Sequence, residues 1–397
     1  MKEKILFLTT EMPYPLDGGG KIRTYNMIKG IYTDYDIDLV CFSEGNHSND
    51  DLNKLKEICN SVSIIDKVYT NSKSKGTLLK NIAISFLKNK PFVIEKFNDK
   101  KYQEIVLGLL SKSKYKCIIL DHLQTANYLK KLQGNKVILS QHNCEYVILK
   151  RRYEKEKNIL KKIYIWSEYK KTQRYEKSVC KEVNNVIMLS KEDKNFVIDD
   201  RYDGRNITII PISIETSYEK KKFNSKVENI LFLGTMSWFP NEQGILWFIK
   251  NVWDDIKESI PNAKLYVVGS NPSKEILAYS SSNIIVTGYV NSVDEYIEKC
   301  DVCVVPLFIG GGMRVKILEC MAKGIPCVST TIGAEGIEYT NTHDIMIADT
   351  SKEFVSSLQR LSDSKEVSMI VENSKNLIEN KYSLKVLAEK LKEIIDN

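Results

Sequence analysis

The chain has 397 residues, of which 43% are hydrophobic and 27% are charged, and its formal net charge is +7. This length suggests two domains, because one domain usually takes about 100–200 residues. The composition is ordinary for a soluble globular protein and supplies ample apolar residues for two cores, and the chain has no low-complexity tail. The modest positive charge is compatible with anionic substrates or an anionic membrane surface. No nucleic-acid-binding module is recognised, so we expect no nucleic-acid partner.

Cysteine usage and the distribution of apolar residues indicate a cytoplasmic protein. The nine cysteines form no disulfide framework and indicate reduced, mostly buried thiols. Cys300 and Cys303 form a C-x-x-C pair without a second pair at zinc-ribbon spacing, which disfavours a zinc or redox role. No apolar run reaches the roughly 18 residues of a membrane span. The apolar segment at the N-terminus soon meets Glu11 and predicts a first strand, not a signal peptide.

Short apolar runs predict two series of β-strands. The first series lies at residues 4–9, 37–42, 117–120, 137–140 and 186–189. The second series lies at residues 230–233, 264–268, 284–287, 302–305, 326–329 and 344–347. Helical patterns lie between most of these strands, as at 243–260, and a last one spans 382–395. This alternation predicts α/β domains with parallel sheets that helices cover on both faces.

A polar stretch at 199–225 separates the two series and predicts the domain boundary. We expect two doubly wound, Rossmann-like parallel-sheet domains that face each other across a cleft. Ligands of such sheets bind beyond the carboxyl ends of the strands, so the cleft would hold a small ligand. The predicted parts are a first domain at 1–211, a linker at 212–222, a second domain at 223–375, and a C-terminal helix at 376–397 that packs back toward the first domain.

The segment 306–324 carries the strongest functional pattern, because an apolar strand runs into three glycines and then into a helix. Glycines let a ligand approach the backbone, and a helix start offers unpaired N–H groups to a phosphate. Lys316 and Glu319 share one helix face, since they are three residues apart. A cation for a diphosphate and a carboxylate for ribose hydroxyls suit a nucleotide sugar. The alternative is a surface Lys–Glu pair after a flexible turn.

A second glycine cluster follows the first predicted strand. The backbone of Gly18, Gly19 and Gly20 would approach the diphosphate, although an ordinary loop is the alternative. The cluster does not match the G-x-G-x-x-G fingerprint, which disfavours a dinucleotide oxidoreductase. An alternating aspartate run at 34–38 could suggest a metal site. This run leads into a predicted strand, and polar residues are expected where a strand begins, so we predict no bound metal.

Several segments together resemble the retaining glycosyltransferases of the GT-B fold, family-four type (glycosyl transferases group 1). The likeness covers nearly the whole chain and is densest at 229–338, where NILFLGTMSWFPNEQG resembles the first strand and loop of the family's C-terminal domain. PLDGGGKIRTY resembles the family's glycine loop. Two further segments resemble a sub-branch of bacterial sugar transferases, namely LDHLQTANYL and SQHNCEYVILKRR.

The resemblance implies an enzyme that moves a sugar from a nucleoside-diphosphate sugar, with UDP or GDP, to a glycan or lipid-linked acceptor. The implied setting is bacterial polysaccharide biosynthesis, and the implied chemistry is hexosyl transfer with retention, without a metal or cofactor. Two alternatives stay open. One is a non-catalytic GT-B partner of another transferase, and the other is a nucleotide-sugar epimerase of similar fold.

The resemblance also implies the donor site. Glu319 matches the second glutamate of the family's Glu-x7-Glu pair, whereas Gly311 stands at the first. The family's basic residues near the first strand of its second domain are missing, and we expect Arg314 and Lys316 to supply that charge. The complete predicted donor site is Gly19, Gly20, Gly234, Trp238, Asn241, Gly288, Tyr289, Val290, Gly311, Gly312, Arg314, Lys316 and Glu319.

Histidines follow two predicted strands of the first domain. His122 matches the family position that hydrogen-bonds the donor sugar and stabilises charge as the glycosidic bond breaks, which implies a catalytic role. A purely structural histidine is the alternative. Asp121 would orient the imidazole or cap the next helix. His142, Asn143 and Glu145 follow the next strand and would line the acceptor side or brace the cleft.

The stretch 150–177 is strongly basic, with eleven Lys or Arg and four Glu, and aromatic residues are interleaved. A basic amphipathic helix of this kind can lie on an anionic membrane surface. The alternative is a solvated helix with an aromatic core stripe. A second basic stretch at 73–90 favours the membrane interpretation. Both would contact the cytoplasmic face of the inner membrane.

Overall fold

The computed structural model separates into two compact units, Met1–Pro211 with Leu387–Asn397 and Ile212–Val386. Gly311, Gly312, nearly all of the basic stretch at 73–90 and most of the predicted linker lie outside the described residues. The described residues are 2–45, 47–67, 90–216, 227–309 and 313–397.

The first unit contains a parallel sheet whose strands are solid apolar runs, as burial on both faces requires. Its strands are β1 (Glu3–Leu8), β2 (Tyr35–Ser43), β3 (Ser61–Asp66), β4 (Cys117–Asp121), β5 (Val137–Ser140), β6 (Asn185–Met188) and β7 (Ile207–Ile209). In the described part of the unit they pair in the order β3-β2-β1-β4-β5-β6-β7. The sequence did not predict β3 and β7, because β3 is half polar and β7 has three residues.

Helices cover this sheet, and a 3₁₀ segment, Leu123–Lys131, follows β4. The helices are α1 (Gly19–Ile31), α2 (Asn49–Lys56), α3 (Phe92–Glu95), α4 (Lys100–Lys112), α5 (Glu145–Lys155), α6 (Ile159–Glu182) and α7 (Lys191–Val197). The basic stretch at 150–177 therefore spans two helices. The chain leaves the helical conformation at Glu156, and the Asn158 side chain caps α6 by accepting from the Lys161 N–H.

The second unit contains a parallel sheet with the order β10-β9-β8-β11-β12-β13 in its described residues. The strands are β8 (Asn229–Leu233), β9 (Lys264–Val268), β10 (Ile284–Gly288), β11 (Val302–Val305), β12 (Cys327–Ser329) and β13 (Met346–Ile347). All six correspond to runs that the sequence predicted. Their apolar side chains form a second buried core together with those of the surrounding helices. The two sheets confirm the predicted α/β class.

The helices of the second unit differ from the prediction at one point. The predicted helix at 243–260 is two helices, because Val252 leaves the helical conformation (φ −124°, ψ −37°) and ends one while starting the other. The helices are α8 (Phe239–Asn251), α9 (Trp253–Ser259), α10 (Lys274–Ala278), α11 (Asp294–Lys299), α12 (Val315–Ala322), α13 (Ser351–Arg360) and α14 (Ser364–Leu377). A π-helical turn follows at Ile378–Tyr382.

The last helix, α15 (Leu384–Asp396), supplies the C-terminal segment of the first unit. Leu387 lies so close to Gly30 of α1 that a Cβ there would be 2.9 Å from its Cδ2 atom. The Tyr35 hydroxyl donates to Asp396 at 2.7 Å, and Lys136 donates to the Ile394 carbonyl at 2.7 Å. Apolar packing and hydrogen bonds to the C-terminal end of the helix thus hold this segment on the first unit.

Candidate active site

Asp121, His122 and His142 form a buried group, the histidine cluster, beyond the carboxyl ends of β4 and β5. The rings of the two histidines stack with centroids 3.7 Å apart. His142 Nε2 lies 2.8 Å from Asp121 Oδ1, and His122 Nδ1 lies 3.3 Å from Asp121 Oδ2. The backbone of His122 has φ +75°, a left-handed conformation that costs free energy in a non-glycine residue and recurs at functional sites.

The Asp121 carboxylate is the centre of the cluster. It is fully buried, and the hydroxyls of Thr24 and Thr9 donate to its Oδ2 at 2.6 and 3.2 Å. Burial opposes its ionisation, but the two histidines outweigh burial and hold the pKa of Asp121 well below its ordinary value. Asp121 therefore orients both imidazoles. The side chain of His122, which precedes the 3₁₀ segment, makes no capping hydrogen bond.

The two histidines have opposite pKa shifts. Burial lowers the pKa of His142 to about 4, and repulsion from the charged form of His122 adds to that shift. Burial also disfavours charge on His122, but the attraction of Asp121 is stronger and raises the pKa of His122 above its ordinary value. A proton taken up by the two imidazoles therefore resides on His122 rather than on His142, and protonated His122 can donate a hydrogen bond or stabilise developing negative charge.

We expect histidine titrations to show this asymmetry directly. The chain has four histidines, so NMR of the ring Cε1–H groups would follow four signals. One signal, assigned with His142→Asn, should titrate near pH 4, and the His122 signal should titrate above pH 6.5. Because unfolded His142 takes up a proton near pH 6.5, this group reduces stability as pH falls from about 6.5 to 4. Ordinary titration of both signals would contradict the described geometry.

The start of α1 lies against the histidine cluster. A Cβ on Gly20 would be 3.4 Å from Glu11 Oε1 and 3.5 Å from His142 Nδ1, so Gly20 lies in van der Waals range of both side chains. Gly19 begins the helix, and Gly18 precedes it without a side-chain cap. The first-turn N–H groups of α1 therefore suit an anionic ligand. Glu11 was not predicted as a site residue, although a carboxylate that follows the first predicted strand could have indicated it.

A pocket of about 550 Å³ adjoins Glu11 in the first unit. Its lining combines carboxylates, amines and aromatic rings, including Glu11, Tyr14, Lys21, Glu44, Lys96 and Phe97. Burial raises the pKa of Glu11. A volume of this size and a mixed polar lining suit a small hydroxyl-rich ligand.

The predicted acceptor-side residues divide into two groups. His142 belongs to the histidine cluster, whereas Asn143 is exposed. Glu145 begins α5, where it accepts a hydrogen bond from Gln124 at 3.3 Å. Burial raises the pKa of Glu145, and its backbone N–H donates to Glu176 at 3.0 Å.

Five predicted donor residues lie together in the second unit around the loop after β8. The Lys316 ammonium donates to the Leu233 carbonyl at 2.6 Å and to Asn241 Oδ1 at 3.2 Å. The guanidinium of Arg314 stacks over Trp238 at 5.2 Å from the ring centroid. We call this group the cation loop, and its members are Gly234, Trp238, Asn241, Arg314 and Lys316.

The protonation state of Lys316 is sensitive to its surroundings because the side chain is buried. Burial lowers its pKa to about 8. It sits over the Phe232 ring at 4.8 Å and is held by oxygen atoms of the protein. An arriving phosphate would therefore favour the protonated form and strengthen its own binding.

Glu319 lies one turn along α12 from Lys316. Burial raises its pKa, and Lys323 partly opposes that shift. Within the described part of the chain, its carboxylate has no hydrogen-bond partner. A half-buried carboxylate of this kind is suited to accept hydrogen bonds from ligand hydroxyls.

Three glycines end neighbouring strands of the second sheet. Gly234 follows β8, Gly269 follows β9, and Gly288 ends β10. The N–H of Gly269 donates to the Gly288 carbonyl at 3.2 Å, and a Cβ on Gly269 would lie 2.0 Å from the Gly234 carbonyl oxygen. Tyr289 and Val290 continue from β10, and Tyr289 is 76% exposed. Gly269 was not predicted as a site residue, although it follows an apolar strand just as Gly234 does.

Gly269→Ala should lower the free energy of unfolding of the second unit by about 2–4 kcal/mol, from overlap and from backbone strain at φ +148°. Chemical denaturation would measure the change. The matched control is Gly18→Ala, where a Cβ meets nothing within 4 Å and the backbone is extended. Equal stability of the two variants would show that the close approach is relaxed in solution.

The second unit matches a known family model. Residues 227–364, about a third of the chain, match the model described as glycosyl transferases group 1. The chain is 24% identical over 408 residues to an uncharacterized 44.6 kDa protein in the cps region of Klebsiella pneumoniae, covering 98% of this chain and 99% of that one. It is also 24% identical over 311 residues to the Escherichia coli UDP-Gal:α-D-GlcNAc-diphosphoundecaprenol α-1,3-galactosyltransferase, covering 72% and 76%.

A solved structure is similar over the whole chain. Sucrose-phosphate synthase from Thermosynechococcus elongatus superposes with a TM-score of 0.70 at 14% identity, covering 100% of this chain and 98% of that one. Together with the two parallel sheets, this likeness shows the GT-B fold and confirms the predicted fold class. The family match and the relatives also support a glycosyltransferase function.

Proposed function

We propose that this protein is a retaining glycosyltransferase that moves a hexose from a nucleoside-diphosphate sugar to a glycan or lipid-linked acceptor in bacterial polysaccharide synthesis. The observation that carries the proposal is the cation loop, where Lys316 and Arg314 gather at the end of β8. Two cations beside a glycine-lined strand end suit a diphosphate. The named activity of the Escherichia coli relative favours UDP as the nucleotide.

The proposed chemistry uses charge stabilisation. Lys316 and Arg314 would stabilise the leaving nucleoside diphosphate as the glycosidic bond breaks through an oxocarbenium-like state. Glu319 would accept hydrogen bonds from the ribose hydroxyls, and backbone at 288–290 would contact the base. His122 would donate to the donor sugar, held in position by Asp121. The leaving phosphate would take the acceptor proton, so no metal, cofactor or second carboxylate at Gly311 is required.

Ligand binding and product analysis test this proposal. UDP or GDP should raise the melting temperature, because a ligand that binds the folded state stabilises it. With nucleotide sugar, the protein should release nucleoside diphosphate. Conversion of the donor sugar without an acceptor and without nucleotide release would indicate an epimerase. Nucleotide binding without turnover, with every acceptor tried, would indicate a non-catalytic partner.

We further propose that the protein is cytoplasmic and contacts the cytoplasmic face of the membrane through the start of α6. Ile159, Ile163 and Trp166 lie on one helix face and are 73%, 53% and 48% exposed, and the neighbouring Leu160 is 79% exposed. Lys157, Lys161 and Lys162 adjoin them in the sequence. Apolar side chains amid positive charge suit an anionic lipid surface. Among the described helices, none has the length and apolarity to cross a membrane.

Leu160→Glu should reduce binding to vesicles that contain anionic phospholipid by roughly tenfold or more. The substitution removes an apolar side chain that would be buried in the lipid layer, and the new carboxylate is repelled by the anionic headgroups. Vesicle co-sedimentation measures this. The control is Leu277→Glu, at a leucine that is 48% exposed in the second unit. Equal losses in both variants, or no loss in Leu160→Glu, would contradict the proposed membrane surface.

A further inference from the structure

We propose that the second unit contains a three-thiolate binding site for monovalent copper, formed by Cys303, Cys320 and Cys327. We call these residues the thiol cluster. All three are fully buried, and their Sγ atoms all lie within 4.8 Å of one another. The thiol cluster shares no residue with the cation loop, and the proposal does not depend on the proposed transferase function.

The fold itself brings the three sulfur atoms together. Cys303 of β11 and Cys327 of β12 are register partners in adjacent parallel strands, so their side chains leave the same face of the sheet. Cys320 lies on α12, which packs over both strands. The cluster therefore joins two strands and one helix across the core. Nearby carbonyls of Ile317 and Ile325 lie 3.8 Å from the Cys327 sulfur, at the weak limit of a thiol hydrogen bond.

The geometry favours a three-coordinate soft ion. A metal–sulfur bond of about 2.3 Å places trigonal sulfur atoms about 4 Å apart. The present spacing of at most 4.8 Å needs a small contraction to reach that value. Thiolate ligands select soft ions such as Cu(I) and Zn(II). Structural zinc takes four ligands, and among the described residues no fourth cysteine, histidine or carboxylate joins the cluster, which leaves Cu(I) as the better fit.

Binding requires deprotonation of the thiols. One Cu⁺ would replace up to three S–H protons, which pass to solvent, and no electron is transferred. The resulting complex would carry negative charge, and the Lys316 ammonium, which interacts electrostatically with Cys303, would offset part of it. The C-x-x-C partner Cys300 is buried but is not a member of the cluster. The C-x-x-C spacing in the sequence therefore did not indicate this cluster, of which it contains only Cys303.

Competition for Cu(I) against the chromophoric chelator bicinchoninate, under anaerobic reducing conditions, tests the proposal with the full chain. We expect the wild-type protein to remove one equivalent of Cu(I) per chain. The double variant Cys303→Ser/Cys327→Ser should lose that equivalent, with affinity reduced more than about 100-fold, since loss of a metal ligand weakens binding more than loss of a group that only hydrogen-bonds to a ligand. Cys180→Ser, at a buried cysteine of the first unit, is the matched control and should retain it.

A single-ligand variant and a spectroscopic measurement test whether the cysteines themselves bind the copper ion. Cys320→Ser removes the ligand that lies on the helix, and circular dichroism verifies that each variant is folded before titration. X-ray absorption of the copper-loaded protein should show three sulfur neighbours at about 2.3 Å. The proposal is overturned if the wild-type protein competes no better than the folded double variant, or if Cys180→Ser loses the equivalent and the cluster variants retain it.

Discussion

His122→Ala is expected to lower the rate of sugar transfer by about 10²–10³-fold with little change in donor affinity. The variant removes a preorganised donor from the point where charge develops in the transition state, and losing one such group typically has an effect of this size. In the structure His122 is held by Asp121 and by stacking on His142. Single-turnover rates with saturating nucleotide sugar, together with calorimetric binding of the nucleotide, would separate the two effects.

A matched control is available for this variant. His343→Ala removes an exposed histidine that pairs with Asp344 in the second unit, and we expect it to be nearly neutral. His142→Ala should have an intermediate effect, because His142 positions the cluster and remains neutral at pH 7. A His122→Ala variant that transfers sugar at the wild-type rate would remove the histidine cluster from the mechanism and leave it a structural group.

Lys316→Ala and Arg314→Ala should each weaken binding of the donor nucleotide by about 1.5–3 kcal/mol, which is roughly 10- to 150-fold in Kd. Each variant removes a charge-assisted hydrogen bond to the diphosphate. Lys316→Ala also leaves the Leu233 carbonyl without the ammonium that it accepts from, so this variant should be the weaker binder of the two. Isothermal titration calorimetry with UDP and GDP measures the affinities.

Lys250→Ala serves as the control for the cation loop. Lys250 is exposed, lies on α8 of the same unit and pairs with Glu275. Its loss should leave nucleotide affinity unchanged, since an exposed ion pair contributes little. Unchanged nucleotide affinity in both Lys316→Ala and Arg314→Ala would refute the proposal that these two residues supply the positive charge for the diphosphate.

Much of the fold could be predicted because parallel strands buried on both faces appear in the sequence as solid apolar runs. All six strands of the second sheet and five of the first were predicted in this way. The breaks between helices at Val252 and at Glu156 were not predicted, since no proline or glycine lies at either position. The strand β3 was not predicted because a half-polar edge strand has no distinctive period.

The candidate site was predictable where residues follow strands and unpredictable where side chains meet across the sheet. His122 and His142 could be proposed because each follows a strand, but their shared carboxylate depends on the adjacency of β4 and β5. Likewise, Lys316 could be placed on a helix start, but its bond to the Leu233 carbonyl depends on the β8–β11 pairing. Sequence spacing carries no information on such contacts between distant segments.

The most direct measurement is release of nucleoside diphosphate from UDP-sugars and GDP-sugars by the purified protein, with NMR of the first-formed anomeric proton. A lipid-linked sugar diphosphate serves as the acceptor. We predict release that requires both His122 and Lys316, and a product whose anomeric configuration matches that of the donor. If no nucleotide sugar is bound or cleaved by the folded protein, the glycosyltransferase proposal is wrong.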